Sequence, residues 1–115
     1  MTVAGYSQKK KPKMVKNFWD YNKSQIRSQG YVYADDFYGE TTLEHGQWKY
    51  WDRQGRIEEV RNYFKGELHG EVISFYASGQ AKEQGFFKMG KQDSLFTKWY
   101  ENGNISETGY FKEDR

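Results

Sequence analysis

Glu59, Glu83 and Glu107 stand at intervals of 24 residues, and His45 and His69 share that interval. Neighbouring carboxylates can pass a proton or hold a cation, and two histidines can begin a zinc site. A fixed interval argues against both. It puts each residue on its own copy of a structural unit. If the unit is a pair of strands, equivalent residues lie roughly 10 Å apart, too far to share a proton or an ion. Cross-strand pairing is expected instead, of Glu107 with Lys98 and of Glu83 with Ser74. The histidines each precede a glycine and read as repeat identity. The chain has no cysteine, so thiolate metal sites and disulfides are excluded. No Gly-x-Ser-x-Gly elbow, Walker loop or Gly-x-Gly-x-x-Gly turn is present. Neither an enzyme nor a resident cofactor or metal is expected.

Trp51, Phe75 and Trp99 share the same interval, and their chemistry is recognition. Tryptophan and tyrosine dominate the energetics of protein interfaces, and a sheet one layer thick cannot cover both its faces. Trp51, Phe75, Trp99, Phe86 and Tyr110 are the candidate partner-binding residues. The occupant is another protein or a second copy of the chain. The competing expectation is packing of the same column on the next unit or on the N-terminal segment.

The elements that carry these residues follow from the period. Gly55, Gly79 and Gly103 are 24 apart, as are Gly46 and Gly70, Gly66 and Gly90, and Tyr63, Phe87 and Phe111. No insertion interrupts units 46–69, 70–93 and 94–115. A degenerate unit, 18–45, precedes them: Ile26 to Val32 reads like Ile105 to Phe111, with Trp19 standing for Trp99. The 115 residues set an expectation of one domain. With 36% hydrophobic and 30% charged residues the composition leans towards disorder, but 19% aromatic content opposes that. Twelve glycines and one proline suit tight turns between uninterrupted strands.

Each unit reads as two short strands around a turn. Asn102-Gly103 predicts a type I′ turn, and Ser78-Gly79 and Gln54-Gly55 take the same place. That register sets Tyr100 against Ile105, Lys98 against Glu107, Phe96 against Gly109 and Trp99 against Ser106. It also sets Val72 over Gly85. One face then gathers Trp48, Val72, Phe96, Tyr76, Tyr100, Ile57, Ala81, Ile105, Tyr63, Phe87 and Phe111, and is expected to be the better buried. The other gathers the five candidate residues. The predicted architecture is all-β, a single-layer antiparallel meander of hairpin repeats with about eight strands.

Two stretches carry a resemblance. Ser74-Phe75-Tyr76-Ala77-Ser78-Gly79-Gln80 with Glu83-Gln84-Gly85-Phe86-Phe87 matches Trp99-Tyr100-Glu101-Asn102-Gly103-Asn104-Ile105 with Glu107-Thr108-Gly109-Tyr110-Phe111. The shared pattern resembles the bacterial variant of the MORN repeat found in YwqK-family antitoxins. The resemblance covers roughly residues 18–115. It implies a non-catalytic β-hairpin array used for protein contacts, its best-known role being to neutralise a toxin by binding it; the expected function is a protein-binding scaffold, either antitoxin-like or immunity-like or a structural module of a larger bacterial assembly. Asp52 departs from it where Tyr76 and Tyr100 stand, Arg61 where Gly85 and Gly109 stand, and Ser94 where glycine is expected.

Charge divides the chain. Residues 1–17 hold Lys9, Lys10, Lys11, Lys13 and Lys16 and no acid, a charge of +5. Residues 18–115 keep 13 basic against 16 acidic residues, a charge of −3. The first 17 residues read as a disordered, solvated tail. An alternative function rests on them: a membrane-surface adaptor in which Lys9, Lys10, Lys11 and Lys13 meet anionic lipid and the aromatic face lies at the interface. Nucleic acid is not an expected partner, since no arginine or aromatic pattern supports base readout. Without a signal peptide the expected compartment is the cytoplasm; a clipped leader would leave the same sequence.

Overall fold

The computed structural model describes residues 12–35 and 41–112. The described residues form strands and turns with no helix. The strands are β1 (Lys13–Phe18), β2 (Ile26–Asp35), β3 (Thr41–Trp51), β4 (Ile57–Phe64), β5 (Glu67–Leu68), β6 (Gly70–Phe75), β7 (Ala81–Lys88), β8 (Lys91–Trp99) and β9 (Ile105–Phe111). All pairings are antiparallel, in the order β1-β2-β3-β4-β6-β7-β8-β9, with β5 on β4 just ahead of β6. The sheet therefore has eight ranks, as the repeat predicts, and the molecule is 18 Å across its thinnest dimension. Lys9, Lys10 and Lys11 lie outside the described residues. Lys13 and Lys16, read above as tail, belong to β1.

The predicted register holds through the middle of each hairpin. Lys98 pairs with Glu107 and Phe96 with Gly109; Ser74 pairs with Glu83 and Val72 with Gly85; Tyr50 pairs with Glu59 and Trp48 with Arg61. The turn that sets it is different. The Gly103 amide donates to the Tyr100 carbonyl (2.9 Å) and the Tyr100 amide to the Asn104 carbonyl (2.8 Å). Gly103 has φ +94°, whereas Asn102 is not among the residues with positive φ. This is a three-residue loop, a type I turn closed by a glycine in the left-handed region, and not a type I′ turn. The same pair of bonds closes Asp52–Arg56 and Tyr76–Gln80. Type I′ turns occur at the other ends of the strands, where Lys65-Gly66 (φ 45° and 91°) and Met89-Gly90 (φ 51° and 84°) both have positive φ.

The extra loop residue shifts the pairing by one, and a bulge on the second strand shifts it back. Trp51 consequently pairs with Ile57, Phe75 with Ala81 and Trp99 with Ile105, not with Ser106. Because paired residues share a face, Ile57, Ala81 and Ile105 leave the predicted buried face and join the aromatic column. A one-residue shift in a strand exchanges its faces.

The degenerate unit is also displaced by one from its predicted alignment. Phe18 pairs with Ile26 across a bulge, as Trp99 pairs with Ile105. The Trp19 amide bonds the Gln25 carbonyl at 2.8 Å, as Tyr100 bonds Asn104. Trp19 therefore stands for Tyr100, and Phe18 for Trp99. The longer loop closes over Asp20, whose carboxylate accepts from the Ser24 and Gln25 amides (3.0 and 2.8 Å).

Burial is sparse. Trp48, 4% exposed, is the one buried hydrophobic side chain among the described residues, and no large side chain is fully enclosed. Its indole lies over Gly30, where a Cβ would overlap the ring, and its Nε1 donates to the Tyr31 carbonyl at 2.8 Å. Arg61 explains the lean. It stands where later units have glycine, so Trp48 cannot cover its own hairpin partner and covers the preceding strand instead. Phe96 covers Gly109 as expected, with its ring 5.1 Å from Phe111. Val72 does not cover Gly85; the nearest neighbours there are the Gln92 amide and the Phe96 Cβ. The face of Trp48, Val72, Phe87 and Phe96 is the better covered in the middle of the sheet. Towards β9 that fails: Tyr100 is 56% exposed and Phe111 40%.

Candidate partner-binding face

The candidate residues occupy two rows on one face. Trp51, Phe75 and Trp99 end β3, β6 and β8 beside the three-residue loops, and all are half-buried. Neighbouring turns tie down two of their carbonyls. Trp19 Nε1 donates to the Trp51 carbonyl at 3.2 Å, and the Tyr76 hydroxyl donates to the Trp99 carbonyl at 2.7 Å. Asp52 cannot donate such a bond. It accepts from the Gln54 and Arg56 amides and pairs with the Arg56 guanidinium, capping its own loop.

Phe86 and Tyr110 form the second row, and Leu95 lies between their strands. Leu95 pairs with Tyr110, and Phe86 pairs with Asp93 on the same neighbouring strand. Four residues along β8 separate Leu95 from Trp99, about 13 Å at a strand's rise. Gln84, Thr97 and Thr108 form a polar row between the two. The exposed members are Leu95 (56%), Ile105 (58%), Tyr110 (67%) and Phe86 (38%). The structure thus brings all five predicted residues to one face without making them one patch. Leu95 and Ile105 are additions. Strand alternation sets Leu95 on the same face as Thr97 and Trp99, so the sequence carries the signal for it. Ile105 needed the bulge, for which the sequence carries no clear sign.

The opposite face carries fixed charge at the first full unit. Arg61 donates to Glu59 at 2.8 Å and to the Tyr63 hydroxyl at 3.0 Å, and its guanidinium lies 4.6 Å over the Tyr50 ring. The Tyr50 and Tyr63 hydroxyls are 3.0 Å apart. Burial opposes the Arg61 charge, but the Glu59 carboxylate and the Tyr63 hydroxyl outweigh it and raise its pKa. Burial, reinforced by the Tyr63 hydroxyl, pushes the Tyr50 phenol well above its ordinary value. The glutamate column is divided among separate partners. Glu59 goes to Arg61, Glu107 lies 3.8 Å from Lys98, and Glu83 sits opposite Ser74.

The histidines have a shared structural task. The Lys65 amide donates to His45 Nδ1 at 3.2 Å and the Met89 amide to His69 Nδ1 at 3.3 Å. Each histidine thus holds the type I′ turn one unit on. Near the other end of the sheet, Arg27 and Arg53 stack on Trp19, 4.8 and 4.4 Å from its ring. Of the lysines proposed for lipid contact, Lys13 is described, and it is exposed on β1.

Compared with known proteins, the chain contains a MORN repeat variant, matched at residues 68–89 and again at 92–113. The two matches are one period apart and fall on the second and third full units. MORN repeats are generally non-catalytic repeat modules. No curated protein and no solved structure matches the chain.

Proposed function

We propose that this chain is a non-catalytic repeat scaffold that binds another protein through the face of Trp51, Phe75, Trp99, Phe86 and Tyr110. The observation that carries the reading is a single-layer sheet with no fully enclosed large side chain among the described residues and with Phe86, Leu95, Ile105 and Tyr110 exposed on one face. Exposed apolar area of this kind marks contact surfaces, and the flanking charged side chains tune which protein is accepted. An antitoxin-like or immunity-like role is the form that the YwqK-family resemblance suggests, and it requires the bound protein to be a toxin.

The test is capture from a lysate of the source organism with the wild-type chain and a Phe86→Ser, Tyr110→Ser variant, after circular dichroism shows that both fold. A stoichiometric protein recovered by the first and lost by the second supports the reading; equal recovery refutes this face. The membrane-surface alternative draws on the exposed Lys13. It predicts flotation with vesicles containing phosphatidylserine and loss of flotation when Lys9, Lys10, Lys11 and Lys13 are all changed to glutamine.

A further inference from the structure

We infer that copies of this chain add to one another head to tail, with β1 of one copy pairing with the open edge of β9 of the next. Inside the sheet, successive units are joined strand to strand. The second strand of each unit pairs antiparallel with the first strand of the following one: Glu59 with Ser74 and Val60 with Ile73, then Glu83 with Lys98 and Gln84 with Thr97. A turn residue adds a bond across that joint, as when the Tyr76 hydroxyl reaches the Trp99 carbonyl.

One period on, every donor half of this joint is present at β9 without its acceptor half among the described residues. Glu107 and Thr108 occupy the places of Glu83 and Gln84. Tyr100 occupies the place of Tyr76, is 56% exposed, and its hydroxyl has no partner among the described residues. β9 itself is exposed along nearly its whole length. It lacks the lysine and proline that usually blunt an edge strand.

β1 is the matching half. The pairings of Asn17 with Ser28, Val15 with Gly30 and Phe18 with Ile26 give it the place of β8 in its own unit. It is a unit's first strand with nothing on its outer side among the described residues. Eight antiparallel ranks make β1 and β9 run in opposite directions, so an incoming β1 in the same orientation continues the alternation. Carrying the β7–β8 register forward sets Asn17 of the incoming copy opposite Glu107 and Lys16 opposite Thr108. The Phe18 carbonyl then meets the Tyr100 hydroxyl. Charge agrees with this arrangement. Lys13 and Lys16 are exposed on β1, whereas Glu101, Glu107 and Lys112 are exposed at the β9 end, so the described charges of the two edges are of opposite net sign and attract weakly.

The contact is heterologous and does not close on itself, so it builds chains of copies. Sedimentation velocity from micromolar to near-millimolar protein tests it. The expected result is a mass that rises past the dimer without a plateau and falls with added salt. Tyr100→Phe removes only the hydroxyl and should weaken association about tenfold, the scale of one net hydrogen bond. Lys16→Glu reverses one of the exposed β1 charges that attract the acidic residues of the β9 end and should weaken it further. Both sites are exposed, and circular dichroism checks each fold. A dimer plateau indifferent to Lys16→Glu would mean that two β9 edges pair with each other, and would overturn the inference. A monomer at every concentration would overturn it too, as would association unchanged by both substitutions.

Discussion

Gly30→Ala probes the packing beneath Trp48, the one buried hydrophobic side chain among the described residues. A Cβ on Gly30 would overlap the Trp48 indole, and Trp48 is both 4% exposed and bonded through Nε1 to the Tyr31 carbonyl. The ring must move. Overpacking of this kind costs ~1–3 kcal/mol. Loss of the indole hydrogen bond adds ~1 kcal/mol. Replacing glycine inside a strand returns ~0.5–1 kcal/mol of backbone entropy. The expected net loss is about 2 kcal/mol, read from urea unfolding followed by tryptophan fluorescence and far-ultraviolet dichroism together. Two internal controls fix the scale. At Gly109 the obstacle is the Phe96 ring near the open edge, so the loss should be smaller. At Gly85 it is the end of the flexible Gln92 side chain, 3.2 Å away, so the change should be close to zero. Trp48→Val should largely abolish the cost of Gly30→Ala in a double-mutant cycle. If Gly30→Ala costs no more than Gly85→Ala, or if Trp48→Val leaves its cost unchanged, the account of Trp48 as the packed centre is wrong.

Other outcomes follow from single features. Ser94 holds φ +65° where Gly46 and Gly70 stand in earlier units, so Ser94→Gly should stabilise by ~1 kcal/mol in the same unfolding assay. Tyr76→Phe should destabilise by ~1 kcal/mol through loss of the bond to Trp99, with circular dichroism unchanged. The Arg56 amide and guanidinium hold the Asp52 carboxyl below its ordinary 3.8. A lowered native pKa gives stability that is complete above 3.8 and lost as pH falls through the lower value. Asp52→Asn should therefore lower stability at neutral pH, change it little at low pH, and so flatten the acid limb of the stability profile. The raised pKa of Tyr50 has the opposite sign: its contribution is whole below 10.0 and declines as pH rises above it. Tyrosinate absorbance should show one late-titrating phenol, absent in Tyr50→Phe.

Much of the architecture was legible because the repeat is written in many columns at once. The strand register was recovered although the turn was misassigned, since the extra loop residue and the bulge cancel in mid-strand. Where they do not cancel, the reading failed: Ile57, Ala81 and Ile105 change faces, and Trp99 finds Ile105. Asn102-Gly103 is a type I′ signature in isolation, yet the loop places only Gly103 at positive φ, while Lys65 and Met89, with no such signature, adopt the type I′ conformation. The Trp19 error has a similar cause, because a longer loop conceals the alignment of Phe18 with Trp99. The site residues were legible as a column of aromatics. Their division into two rows was not, because it depends on the polar row of Gln84, Thr97 and Thr108 that three separate strands assemble.

The scarcity of enclosed side chains has a thermal consequence. Compact domains unfold with a heat-capacity increase of ~12–15 cal/mol/K per residue, which comes from newly wetted apolar surface and gives stability its arched dependence on temperature. A sheet whose one buried hydrophobic residue among those described is Trp48, its other apolar side chains being half-buried or exposed, has less such surface to wet. Its heat-capacity increment should fall below that range and its stability should vary less steeply with temperature. The missing curvature would pass to the complex: whatever covers the face of Phe86, Leu95 and Tyr110 should bind with a large negative heat-capacity change.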